Sequence, residues 1–156
     1  VTVAFYLNGE RVRVKVPPMK KLLDILRDNF ALTSVKAGCR KGECGACLVM
    51  IDGELVNSCL IPAFRLKNRR VLTVEGLAKE KSFGEIEKVL SGEGFFQCSF
   101  CKSGITMAIM YLLARKKGLR ELDIREGLSG NVCQCAGQTG LVEAVKRVSS
   151  MRRPRG

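Results

Sequence analysis

Cysteines carry the chemistry of this sequence. Cys39-Arg40-Lys41-Gly42-Glu43-Cys44-Gly45-Ala46-Cys47 sets three thiols in one glycine-rich loop, and Cys59 follows after a short apolar segment. C-x4-C-x2-C followed by x11-C is the plant-type spacing with which four thiolates hold two irons and two sulfides, rather than a zinc spacing. Gly38, Gly42 and Gly45 interleave with the cysteines and let backbone N–H groups come close to sulfur, which stabilises a negative cluster. The expected ligands are therefore Cys39, Cys44, Cys47 and Cys59.

A second set lies further on: Cys98-Ser99-Phe100-Cys101 and Cys133-Gln134-Cys135. Each pair precedes an expected helix start, where unpaired N–H groups and the positive end of the helix dipole favour an anion. From spacing alone this set fits either a second iron–sulfur cluster or a structural zinc with four thiolates, and the tight C-x-C step weighs slightly against zinc knuckles. With no histidine in the chain, mixed cysteine–histidine zinc sites, Rieske centres, histidine-ligated haem and histidine-activated nucleophiles are excluded. No catalytic residue is expected.

The elements that must position these thiols read in two styles. Val1 to Leu7 and Arg11 to Val16 alternate around Asn8-Gly9, a hairpin signal, and Pro17-Pro18 ends the pair. Met19 to Phe30 carries Leu22, Ile25, Leu26 and Phe30 on a helical stripe. Leu48–Ile51, the turn Asp52-Gly53, a returning strand from Leu55 to Ile61 that delivers Cys59, and a short strand from Val71 to Val74 complete the first half. A hairpin followed by a helix packing back across it predicts a β-grasp domain over residues 1–76.

After a junction around Leu77 to Lys81 the period becomes helical. Ser82-Phe83-Gly84-Glu85 has a capping-box pattern before Ile86, Val89 and Leu90. Ser103 to Lys117 is apolar nearly all round and is followed by Gly118, Asp123-Ile124-Arg125-Glu126 opens a short helix, and Gln138 to Met151 forms a longer one. Four helices without a strand predict a helical bundle over residues 77–156. The fold class is thus α+β, with a frayed basic tail from Arg152 to Gly156. Phe95, Phe96 and Phe100 are expected in packing that also keeps water from the second thiol set.

In 156 residues there are 27 basic and 15 acidic side chains, a formal charge of +12 that counts each cysteine as neutral. Two bound clusters of roughly −2 each would offset about four of these charges. The remaining excess is read as a solvated surface ahead of a nucleic-acid site. No signal-peptide pattern and no membrane-spanning apolar run occurs in the sequence, so a cytoplasmic protein with reduced thiols is expected, with no nucleic acid and no membrane insertion.

Taken together, Cys39 to Cys47, Asn57-Ser58-Cys59-Leu60, Gln97-Cys98 with Cys101, and Gly130-Asn131-Val132-Cys133-Gln134-Cys135 resemble the iron–sulfur subunit of the molybdenum hydroxylase family, the group of xanthine dehydrogenases, aldehyde oxidoreductases and aerobic carbon monoxide dehydrogenases. The resemblance spans nearly the whole chain. It implies two [2Fe–2S] clusters, ligated by Cys39, Cys44, Cys47 and Cys59 and by Cys98, Cys101, Cys133 and Cys135. It also implies a molybdopterin-binding large subunit and an FAD-binding medium subunit as partners, with Gln97 and Cys135 touching the pterin. The chain departs from the family pattern at Ser99, Lys102, Ser103, Gln134 and Ala136, while Gly104 is retained. The implied function is one-electron relay within an oxidoreductase complex. A stand-alone ferredoxin-like carrier and a zinc-stabilised nucleic-acid-binding protein are the rival readings.

Overall fold

The computed structural model describes residues 1–92, 100–135 and 137–151. In the first half, β1 (Thr2–Leu7) and β2 (Glu10–Lys15) form an antiparallel hairpin in which Leu7 faces Glu10. Asn8 and Gly9 both take positive φ, 50° and 90°, the turn that matches the right-handed twist of paired strands. Helix α1 (Leu22–Phe30) follows, then β3 (Leu48–Ile51), β4 (Glu54–Asn57) and β5 (Arg70–Leu72). The sheet order is β2-β1-β5-β3-β4, with β1 and β5 parallel and the other neighbours antiparallel.

Alternation decides what each face of the sheet buries. Val3, Phe5 and Leu7 from β1 and Val49 from β3 join Leu22, Leu23, Ile25 and Leu26 of α1 in one core. Phe5 meets Phe30 edge-on with ring centroids 6.0 Å apart. The intervening residues Leu48 and Met50 turn to the other face and enter a second core made mainly by helices.

Those helices are α2 (Val74–Leu77), α3 (Lys81–Gly92), α4 (Lys102–Arg115), α5 (Glu121–Gly127) and α6 (Gly137–Met151). Among the described residues the protein is thus an α+β structure with a five-stranded sheet and six helices. Gly104 to Met110 are buried without interruption, because α4 packs on β3 and β4 on one side and on α2, α3 and α5 on others.

Several boundaries differ from the sequence expectation. Helix α1 starts at Leu22 rather than Met19, since Lys21 is held extended by a bridge to Pro62. The strand expected from Leu55 to Ile61 stops at Asn57, and Ser58–Leu60 form a 3-10 turn. The last strand is Arg70–Leu72, and Val74 already belongs to α2. Ser82 sits inside the first turn of α3 rather than capping it, and α4 ends at Arg115, before Gly118. The tail from Arg152 and the residues Phe95 and Phe96 lie outside the described residues, while Phe100, expected in packing, is exposed just before α4 instead.

Candidate iron–sulfur centre

The loop between α1 and β3 bends through positive φ at Arg40 (57°), Gly42 (78°) and Gly45 (74°). This curls successive backbone N–H groups around sulfur. Cys39 Sγ accepts from the amides of Lys41 at 3.3 Å, Glu43 at 3.2 Å and Cys44 at 3.3 Å. Cys44 Sγ accepts from Cys39 N and Ala46 N, each at 3.4 Å. The Lys41 amide, then those of Glu43 and Cys44, lower the Cys39 pKa to about 6, because N–H dipoles favour the thiolate.

Cys47 and Cys59 are sealed from solvent, 3% and 4% exposed. Burial first, and the adjacent Cys47 second, push the Cys59 thiol up to about 11, against the pull of the Gly42 amide. The 3-10 turn that places Cys59 is tied to the loop: Ser58 donates from its hydroxyl (2.7 Å) and its amide (3.2 Å) to the Cys47 carbonyl. Asn57 Nδ2 donates to the Gly42 carbonyl at 3.4 Å.

The structure therefore brings together the four thiols expected of the first site: Cys39 and Cys44 exchange backbone amide bonds to each other's sulfur, and Cys59 lies near Cys47 and Cys39. Among the described residues no three acidic, cysteine or histidine side chains converge at single-ion spacing. Four neighbouring thiols, with amides aimed at the sulfurs of Cys39 and Cys44, are the donor set that a two-iron cluster requires, and the residues present fit it.

Of the second set, Cys101 stands at the N-terminus of α4 and its Sγ donates to the Val132 carbonyl at 3.3 Å. Cys133 is half-buried against the helical core, while Cys135 is exposed in the turn before α6. The structure thus brings Cys101 to the segment that carries Cys133. Gln97 and Cys98 lie outside the described residues.

Sequence reasoning missed the residues that join the two sets. Val132 N donates to the Cys44 carbonyl at 3.0 Å, and the Ser103 hydroxyl donates to the Ser34 carbonyl. Ser34 in turn donates to Glu75 at 2.5 Å, as does Thr73 at 2.6 Å. Partial burial pushes the Glu75 pKa up, but these hydroxyl bonds outweigh it and the net shift is downward. Lys102, another departure from the family pattern, pairs with Glu87 of α3. The only sequence signal for this junction is Gly104, retained where its neighbours vary.

Two family models match in tandem: a "2Fe-2S iron-sulfur cluster binding domain" over residues 5–73 and a "[2Fe-2S] binding domain" over residues 73–146. The xanthine dehydrogenase iron-sulfur-binding subunit of Escherichia coli is 37% identical over 147 residues, 93% of this chain and 92% of that protein. The nicotinate dehydrogenase small FeS subunit of Eubacterium barkeri is 35% identical over 94% of this chain and 93% of its own length. A chain in the crystal structure of quinoline 2-oxidoreductase from Pseudomonas putida superposes with a TM-score of 0.88 at 30% identity, covering 96% of this chain and 94% of that one. With these matches along its length, the chain belongs to the iron–sulfur small-subunit family of the molybdenum hydroxylases, as a subunit of an oxidoreductase.

Proposed function

We propose that this chain relays single electrons from a molybdopterin centre on a large partner subunit, through two [2Fe–2S] clusters, to FAD on a medium subunit or to another acceptor. On this reading Cys39, Cys44, Cys47 and Cys59 hold one cluster, and Cys98, Cys101, Cys133 and Cys135 hold the other. Gln97 and Cys135 contact the pterin. Residues 1–76 form a β-grasp domain and 77–156 a four-helix domain, in a cytoplasmic complex where the thiols stay reduced.

One observation carries the proposal: Cys44, in the first thiol set, accepts a hydrogen bond through its carbonyl from Val132, the residue before Cys133. The two matched [2Fe-2S] domain models support the same reading. A bound cluster would supply a one-electron Fe(III)/Fe(II) change. The chain's own part is to hold thiolates, direct amides at sulfur and exclude water around Cys47 and Cys59.

Iron and acid-labile sulfide analysis, with EPR of the dithionite-reduced complex, tests it. About four irons per chain and two distinct signals are expected. About two irons and one signal would overturn the two-cluster relay.

A further inference from the structure

Both thiol sets close on one short stretch of backbone, residues 44–46. The Cys44–Gly45 step lies between the first turn of α4, which starts next to Cys101, and the segment 130–132 that leads into Cys133. On one side, a Cβ added at Gly104 would stand 2.0 Å from the Gly45 carbonyl oxygen, 3.0 Å from its carbon and 3.2 Å from Ala46 Cα. On the other, a Cβ at Gly45 would meet the Gly130 carbonyl oxygen at 2.3 Å and Asn131 Nδ2 at 2.8 Å. The Val132 amide closes the joint at 3.0 Å from the Cys44 carbonyl.

We infer that Gly104 is a positioning residue: its missing side chain sets the separation of the two cluster sites. This rests on the two-cluster reading above. The three nearest atoms at position 104 are all backbone, so no rotamer change makes room. A methyl group there must drive the start of α4 from the Gly45–Ala46 peptide by about 1 Å to restore van der Waals separation. Cys101, at the end of that helix, moves with it. Other helical glycines lack this role: a Cβ at Gly84 meets nothing within 4 Å, and one at Gly127 meets only the flexible Leu112 side chain, at 2.9 Å. Dipolar coupling between two paramagnetic centres falls as the inverse cube of their separation, so a spectroscopic readout reports the displacement directly.

The test compares Gly104→Ala with Gly84→Ala in the assembled complex. Iron analysis counts the clusters, and EPR of the reduced protein measures the spin–spin splitting between them. Both variants are expected to keep full iron. Gly84→Ala keeps the wild-type splitting, whereas Gly104→Ala narrows it without altering the principal g values. Unchanged splitting in Gly104→Ala at full iron overturns the inference, as does equal narrowing in Gly84→Ala. A wild type with half the expected iron overturns the two-cluster reading instead. If Gly104→Ala does not assemble, the wild-type splitting is followed at rising urea below the unfolding transition. A rigid spacer holds it constant until the chain unfolds, and a progressive fall before that point overturns the inference.

Discussion

Ser58 shows how a residue without redox chemistry fixes the place of a candidate ligand. It is fully buried, and its hydroxyl and amide both bind the Cys47 carbonyl, which turns the chain out of β4 and brings Cys59 beside Cys47. Removing the hydroxyl leaves that carbonyl still paired with the Ser58 amide, so the loss is that of one ordinary bond. Ser58→Ala is expected to cost about 1 kcal/mol and to lower the melting temperature of the cluster-loaded chain by about 2–4 °C. Following the visible cluster absorbance during heating measures this; an unshifted midpoint contradicts the assigned role. The thiols of the first loop were legible because Cys39, Cys44 and Cys47 are local in sequence and their spacing encodes their geometry. Ser58 and Val132 were not, because their partners are brought to them only by folding and no spacing announces such a contact; Gly104 stood out in the sequence, but its contact with Gly45 did not.

At the level of elements, period and turn chemistry foretold most pieces, and the errors fell where tertiary contacts overrule local pattern. Lys21 and Ser58 are two such cases, one pulled into an extended bridge and the other into a 3-10 turn. The unbroken apolar character of α4 correctly marked it as central, but the sequence could not say that a sheet would form part of its surroundings. At the sheet side, Tyr111 of α4 donates to Glu54 of β4 at 2.8 Å, and Arg115 lies 4.5 Å over the Tyr111 ring while also pairing with Glu54. The bond to Glu54 raises the Tyr111 pKa above the ordinary phenol value, with Arg115 opposing it. A folded-state pKa above the unfolded one gives stability that is complete below about pH 10 and lost as pH rises through the folded value. In a Tyr6→Phe background, Tyr111 is the single tyrosine. Its phenolate absorbance is expected to rise at lower pH when Glu54→Gln is added; an unmoved titration means that Glu54 does not hold the phenol.

For the whole molecule, the consequence of α4 lying on β3 and β4 is that the two halves share a core. Leu48, Met50, Leu55 and Leu72 from the sheet pack into the same cluster as Ile86, Ile105, Ile109, Leu141 and Val145 from the helices. Tandem matches to two family models divide the sequence near residue 73, yet the boundary between the two cores does not follow that division, because these sheet residues pack with the helices. No helix among the described residues is long and apolar enough to cross a membrane, so the burial of α4 is accounted for by this internal core. Ile105, wholly buried on α4 one residue after Gly104, tests the coupling. Ile105→Ala removes methyl and methylene groups from a site hemmed in on several sides, at an expected cost of about 2–5 kcal/mol. If the halves were independent, that loss would appear only in the helices, and the cluster at Cys39 to Cys59 would keep its wild-type melting temperature. With a shared core, the far-UV helix signal and the visible circular dichroism of the bound iron–sulfur centre are expected to melt together, and both earlier than in the wild type. Separate transitions, with the first cluster outlasting the helices at its unshifted temperature, would show that the two halves are stabilised separately.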